Sequence, residues 1–186
     1  MALSDALKRL SPDEYLAEER RDTHKQEYLR GPVTALAGAS PSYNRVVFNL
    51  AGILHSQLRQ SGCHGFGSDL KVQTPGAEMF AYPDLTIVCG EPQLRDVLLN
   101  PTVIVEVLSE STEARDRGEQ FLLYIQIPSL RDYLLVSQNE SRIEHYARQP
   151  DNRCLLSVVN GVSGDVYLSS IRCRIPLGEV YEGVDV

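Results

Sequence analysis

The segment that most constrains the fold covers residues 102–108, with the sequence TVIVEVL. Its nearly continuous β-branched content predicts a strand that is buried on both faces. Segments with helix signals lie before and after the central strands. The sequence therefore predicts a mixed α/β (α+β) fold, in which a mixed central sheet is flanked by helices.

Helix and strand signals surround this segment. Ser11 is a good N-cap and Glu14 stands where a capping box requires it, so a helix is predicted from Pro12 to about residue 21. A second helix is predicted from Ser40 to about residue 60, because apolar residues recur there at helical spacing. The other predicted elements are a strand pair at 26–37 broken at Gly31-Pro32, strands at 66–73, 80–89, 132–137 and 142–148, a helix from 111 to about 126, and two or three short strands after residue 154.

Composition limits the class of protein. The 186 residues contain no internal repeat and no linker, which predicts a single domain over residues 1–186. Neither a secretory signal nor an apolar run of membrane-spanning length is present, and the four cysteines are scattered without a C-x-x-C motif. We therefore expect a cytoplasmic protein without a zinc site or a disulfide framework. The net charge of −7 argues against a nucleic-acid coat protein, but not against a nuclease whose acidic residues hold metal.

A glutamate interrupts the buried strand. Strand alternation places Glu106 on the same face as Ile104 and Leu108. An unpaired carboxylate in such a setting is costly, so it either takes up a proton or finds a cation. The nearest basic residues in the sequence, Arg95 and Arg115, are not local. A partner must come from elsewhere in space, and a metal ion is a natural candidate.

A second carboxylate, Asp84, stands at the start of another predicted strand, directly after Pro83. Aspartate is a poor strand residue, whereas proline suits a strand start. Adjacent antiparallel strands would bring Asp84 and Glu106 to one end of the sheet. Two carboxylates, completed by water and phosphate oxygens, form the kind of ligand set that Mg²⁺ prefers.

Each carboxylate also has a plainer interpretation. Asp84 alone could be a turn or strand-start residue, since aspartate favours turns. Glu106 could lie on an edge strand that faces water, or it could form half of a buried salt bridge. An acidic structural or regulatory protein with buried ion pairs is therefore an alternative to a metal site.

Four segments resemble a known family. They are HKQEYLRG (24–31), SDLKV (68–72), YPDLTIV (82–88) and NPTVIVEVLSESTEARDRGEQFLLY (100–124). They resemble the Uma-two type restriction endonucleases, a prokaryotic branch of the PD-(D/E)XK nuclease superfamily. The resemblance runs from about residue 10 to the C-terminus, and its most specific part is the block EVLSESTEARDRG.

The resemblance implies a restriction-endonuclease-like core in which Asp84 and Glu106 hold Mg²⁺ or Mn²⁺, with the backbone carbonyl of Val107 as a third ligand. It also implies that Glu27 lies near this site, although a solvated strand position is the alternative for that residue. The lysine of the family pattern DRGxK is replaced here by Gln120. Glutamine can orient water, but it cannot supply the positive charge of a lysine.

Another cation could compensate for the missing lysine. Lys71, predicted on the strand before Asp84, is the best placed of the three lysines. Arg117 precedes Gln120 by three residues, which would place both on one face of a continuous helix. A solvent-facing strand position is the alternative for Lys71, and a surface pair with an acidic neighbour is the alternative for Arg117. Asp116, one helical turn before Gln120, could bind a second metal or hydrogen-bond water, but a surface role is expected.

These observations predict a metal-dependent endonuclease that hydrolyses DNA phosphodiester bonds. The candidate catalytic residues are Asp84, Glu106, Gln120, Glu27 and Lys71. Arginines such as Arg30, Arg45 and Arg115 are expected at the rim, where they could contact phosphates. A homodimer is expected, because cleavage of a duplex requires two cuts. The main alternative is a binding protein on the same scaffold that has lost useful turnover through Gln120.

Overall fold

A computed structural model describes residues 8–36 and 38–186 of the chain. The helices are α1 (Pro12–Glu19), α2 (Pro41–Leu58), α3 (Glu113–Arg117), α4 (Glu119–Tyr124) and α5 (Leu177–Val180). The strands are β1 (Gln26–Leu29), β2 (Val33–Ala35), β3 (Cys63–Gly67), β4 (Val72–Gln73), β5 (Met79–Ala81), β6 (Leu85–Cys89), β7 (Val103–Leu108), β8 (Asp132–Ser137), β9 (Arg142–Arg148), β10 (Cys154–Asn160), β11 (Asp165–Leu168) and β12 (Cys173–Pro176).

A mixed sheet of six strands forms the centre of the molecule, in the order β10-β9-β8-β7-β6-β3. Strands β7 and β8 are parallel and the other pairs are antiparallel. Every residue of β7 is buried, as its apolar sequence predicts. A second sheet, in the order β2-β1-β5-β4, and the hairpin β11-β12 complete the strands. The predicted mixed sheet flanked by helices is therefore confirmed.

Side-chain alternation along β7 divides the core into two layers. Val103, Val105 and Val107 pack with α2 and the C-terminal hairpin on one face. Ile104 and Leu108 pack with α4 on the other. Glu106 belongs to the second set, so its carboxylate points toward the α3–α4 side of the sheet.

Proline splits one predicted strand into two. The sequence predicts a single strand over residues 80–89, but Tyr82, Pro83 and Asp84 separate β5 from β6. Pro83 has no N–H to donate to a sheet ladder. The chain passes there from the four-stranded to the six-stranded sheet, so Asp84 lies where the two sheets approach each other. The predicted strand at 66–73 is also two strands, β3 and β4, which a turn at Ser68-Asp69 separates and which belong to different sheets.

Gly118 breaks the helix that the sequence predicts from 111 to about 126. Its backbone is non-helical, with φ −106° and ψ −111°. A Cβ at this position would lie 2.8 Å from the carbonyl oxygen of Ala114. The chain therefore turns between α3 and α4, and residues before and after Gly118 do not share one helical face.

The scattered cysteines were not expected to form a disulfide framework, but one pair, Cys63 and Cys89, is bonded. The two residues stand opposite one another in the antiparallel register of β3 and β6. Their spacing in the sequence gives no sign of this pairing, which depends on the sheet register.

None of the helices in the two described ranges is long and apolar enough to cross a membrane.

Candidate active site

A cavity of about 620 Å³ opens at the end of the central sheet. It lies between the first turn of α2, strand β1, the starts of α3 and α4, and the junction before β6. Four buried carboxylates line it, from four separate parts of the chain: Glu27, Asp84, Glu106 and Asp116. We refer to this space as the acidic cavity.

Sheet register brings the two predicted metal ligands together. Leu85 stands opposite Val105 in the antiparallel pair, so Asp84 falls opposite Glu106. The backbone N–H of Val107 donates to Asp84 Oδ2 at 2.6 Å, and the N–H of Asp84 donates to Glu106 Oε2 at 3.4 Å. Each carboxylate is thus held by the backbone of the other strand.

Neutral donors complete the contacts of both carboxylates. The Tyr43 hydroxyl, from the first turn of α2, donates to Asp84 Oδ1. Glu106 Oε1 accepts from Gln120 Nε2 at 2.8 Å and from the Tyr124 hydroxyl at 3.1 Å. Within the described ranges, no lysine, arginine or histidine nitrogen lies within 4.0 Å of a carboxylate oxygen of Asp84, Glu106 or Asp116, whereas Glu27 does have such a partner.

Burial and mutual repulsion raise the pKa values of these acids. Burial raises the pKa of Asp84 to about 6, although hydrogen bonds from Tyr43 and Val107 oppose the shift. Burial is also the main cause that raises the pKa of Asp116 to about 6. The pKa of Glu106 lies well above its ordinary value, because of burial and then the charges of Asp84 and Asp116. A bound cation would offset this repulsion.

Glu27 is the one carboxylate of the cavity that has a charged partner. It accepts the backbone N–H of Tyr82 at 3.0 Å, and Arg115 Nη2 donates to its Oε2 atom. Burial still raises the pKa of Glu27, against the opposing charge of Arg115. The structure thus places Glu27 beside Asp84 and Glu106, in the position that the sequence resemblance implies.

The donor chemistry suits a hard divalent cation. Carboxylate and carbonyl oxygens are the ligands that Mg²⁺ prefers, and Val107 also lines the cavity. Across residues 8–36 and 38–186, however, no three or more His, Cys, Asp or Glu side chains converge closely enough to hold a metal by themselves. The residues present fit an ion held by Asp84, Glu106 and a backbone oxygen, with the remaining positions left to water and substrate.

The structure does not bring Lys71 into the acidic cavity. Its ammonium donates to Glu19 Oε2 at 2.5 Å and lies over the rings of Tyr15 and Tyr82, 5.4 and 5.7 Å from their centroids. Lys71 is almost completely buried in this contact, so the solvent-facing alternative is also wrong. Its pairing partner lies in α1, far away in the sequence.

Arg117 is also outside the cavity. It pairs with Glu113 in its own helix and with Glu144 of β9, at 2.7 Å. The inference that it shares a face with Gln120 fails because the helix breaks at Gly118. The expected surface position of Asp116 is also wrong, because its side chain lines the cavity and is only 3% exposed.

Two residues that contact the cavity acids, Tyr124 and Tyr43, were not assigned to the site from the sequence, and a third, Arg115, was assigned a different position. Tyr124 follows Gln120 by four residues, and this helical spacing could have identified it as a second donor to Glu106. Tyr43 has no local signal, because it reaches Asp84 from another helix. Arg115 was expected at the rim, whereas its guanidinium forms an ion pair with the buried carboxylate of Glu27.

The sequence matches a family model and two relatives over most of its length. The family model Uma2, described as "Putative restriction endonuclease", matches residues 12–179. The Synechocystis sp. protein sll1609 is 34% identical over 167 residues, covering 88% of this chain and 94% of that protein. A second Synechocystis protein, slr1290, is 35% identical over 179 residues, covering 95% and 93%.

A solved structure shares the fold. It is a crystal structure from Anabaena variabilis, described as "a putative nuclease belonging to DUF820". The match has a TM-score of 0.76 and 14% sequence identity, and it covers 95% of this chain and 99% of the other.

Proposed function

Because this chain belongs to the Uma2 family of restriction-endonuclease-like proteins, we propose that it is an endonuclease that hydrolyses phosphodiester bonds of DNA with Mg²⁺ or Mn²⁺. Asp84 and Glu106 would hold the ion, with the carbonyl oxygen of Val107 as a third ligand. Such an ion supplies a Lewis acid for the phosphate and a more acidic water for the attack.

One observation carries this proposal. Asp84 and Glu106 come from adjacent strands, face one cavity and are buried there, and among the described residues they accept hydrogen bonds from neutral donors only. Two buried carboxylates without a cation are unfavourable, and their raised pKa values reflect that cost. A site arranged in this way gains from a divalent cation and opens to a space that can admit a phosphate.

The reaction requires little covalent chemistry from the protein. A water oxygen bonds to phosphorus while the bond from phosphorus to the leaving sugar oxygen breaks. The attacking water loses its proton to solvent, and the leaving oxygen gains one. Gln120, which donates to Glu106 at 2.8 Å, orients groups near that carboxylate through neutral hydrogen bonds.

The same residue supports a second candidate function. Since Gln120 stands where the family pattern has lysine, the protein could bind nucleic acid or another partner on this scaffold with little turnover. A homodimer belongs to the first proposal, because two cavities are needed to cut both strands of a duplex.

Plasmid nicking with Mn²⁺ tests the proposal. We expect slow nicking by the wild-type protein and by Glu140→Gln, which removes an exposed carboxylate outside the cavity. We expect no nicking by Glu106→Gln. Equal activity of the wild type and Glu106→Gln would indicate a contaminating nuclease and contradict the proposal. Calorimetric titration with Mn²⁺ separates the alternatives, since a binding protein keeps metal affinity without nicking, and a purely structural acid cluster has neither.

A further inference from the structure

The acidic cavity contains a positive charge that the family pattern does not place there. The only lysine and arginine among its described lining residues are Lys25 and Arg115. Lys25 donates to the carbonyl oxygen of Ser68 at 2.8 Å and pairs with exposed Asp69. Arg115 instead extends from α3 onto the buried carboxylate of Glu27.

We propose that Arg115 contacts the scissile phosphate and supplies the positive charge that a lysine at position 120 would otherwise provide. This inference rests on the proposed nuclease function and identifies a further catalytic residue for it. It differs from a rim contact, because Arg115 lies among the carboxylates of the cavity.

The hydrogen bonds of Arg115 leave donors for a phosphate. A guanidinium has five N–H groups in a planar fork, and Glu27 accepts from Nη2. Arg115 Nε is buried, so the donors available to a phosphate are the Nη N–H groups that Glu27 does not accept from. The side chain is 24% exposed and lines the acidic cavity, so part of it stays accessible there while Glu27 holds the guanidinium. Such a fork matches phosphate oxygens well.

The charge of Arg115 acts on carboxylates of the acidic cavity, which supports a role for this residue in the site. Its charge opposes the rise in the pKa of Glu27 and of Asp116, so it acts on two of the four cavity acids. The other basic candidates are committed elsewhere, Lys71 to Glu19 and Arg117 to Glu144. Arg115 is therefore the cation best positioned to compensate for Gln120.

The first test is DNA binding, which does not require turnover. Fluorescence anisotropy with a labelled duplex in Ca²⁺ gives the binding constant as a function of salt. Loss of one phosphate contact makes the slope of log K against log salt shallower by about 0.9. We expect this change for Arg115→Gln and not for Arg153→Gln, whose exposed guanidinium pairs with Asp151. An unchanged slope for Arg115→Gln would overturn the inference.

The second test is cleavage with Mn²⁺. Arg115→Gln should lower kcat by about 10²- to 10³-fold with little change in the Mn²⁺ dissociation constant. Adding Gln120→Lys to that variant should restore at least a tenth of the wild-type kcat, because the charge returns to the cavity. Full cleavage by Arg115→Gln, or a loss of metal affinity that accounts for the loss of rate, would contradict a catalytic role.

The two tests separate this inference from the proposed function. If the wild type cleaves and Arg115→Gln cleaves equally well, the inference fails and the nuclease function stands. If the wild type binds DNA without cleaving it, the nuclease function fails, and the salt slope still decides whether Arg115 contacts a phosphate.

Discussion

Val107 donates its backbone N–H to Asp84 Oδ2 at 2.6 Å. Because Val107 directly follows Glu106, this bond holds the aspartate of one strand beside the glutamate of the next. The two acids are therefore positioned by the backbone, so that their spacing depends on sheet register more than on side-chain conformation.

Removal of a buried cavity acid should stabilise the metal-free protein. The pKa of Asp116 is about 6 in the folded chain, above its ordinary value of 3.8. The folded state therefore holds the proton more tightly, and stability falls as the pH rises from about 4 to about 6. Asp116→Asn removes this loss and should be about 2 kcal/mol more stable than the wild type near neutral pH.

Thermal melting across this pH range checks the prediction. The wild type should lose stability between about pH 4 and 6, and Asp116→Asn should lose less. Asp151→Asn is the matched control, because Asp151 is exposed and its pKa is lowered by contacts with Arg153. Parallel pH profiles for the wild type and Asp116→Asn would show that the pKa of Asp116 is not raised in the folded chain.

Divalent cations should stabilise the chain through Glu106. A ligand that binds only the folded state adds about 2.7 kcal/mol at a concentration one hundred times its dissociation constant. Mn²⁺ should thus raise the melting temperature of the wild type and of Glu140→Gln. The melting temperature of Glu106→Gln should not respond, and an equal rise in all three proteins would place the ion outside the cavity.

A lysine at position 120 should increase the rate of cleavage. Gln120 Nε2 already donates to Glu106 at 2.8 Å, so an ammonium group would enter the same space and add charge beside the phosphate. We expect Gln120→Lys to nick plasmid about tenfold faster than the wild type. Gln126→Lys, on an exposed position after α4, is the control for added surface charge. No gain for Gln120→Lys would indicate that position 120 is away from the chemistry.

A side chain at position 118 should disturb both stability and activity. The Cβ of an alanine there would lie 2.8 Å from the carbonyl oxygen of Ala114, which forces α3 to shift. We expect Gly118→Ala to lower stability by about 1–3 kcal/mol and to reduce nicking, since α3 carries Arg115 and Asp116. Chemical denaturation measures the first effect.

Gly52→Ala provides the comparison for that variant. Gly52 lies inside α2, and a Cβ there meets no heavy atom within 4 Å. Alanine favours a helix over glycine by about 1 kcal/mol, so this substitution should stabilise the chain. A destabilised Gly52→Ala, or a neutral Gly118→Ala, would contradict the steric argument.

Local signals predicted most of the elements. The capping box of Ser11 and Glu14 is formed at the start of α1, and the apolar segment around Glu106 is a fully buried strand. Such features depend on hydrogen bonds and polarity within a few residues of the chain, which a sequence shows directly. The proximity of Asp84 and Glu106 was also predictable, because two strands joined by a short connection tend to pair.

Long-range partners were not predictable. Lys71 pairs with Glu19, and Arg115 with Glu27, across 52 and 88 residues of sequence. Nothing in the neighbourhood of either cation indicates its partner. Both pairings depend on how the second sheet and α1 pack beside the central sheet, and that packing is decided by the whole core.

The sequence by itself determined the central buried strand, the mixed sheet with its helices and the two acids at its end. Alternation and backbone preference act over a few residues, so they can be read without a structure. Only the tertiary structure decided which basic side chains line the acidic cavity, that the predicted helix breaks at Gly118, and which cysteines pair. Those outcomes depend on strand register and on steric contacts between segments that are distant in the chain.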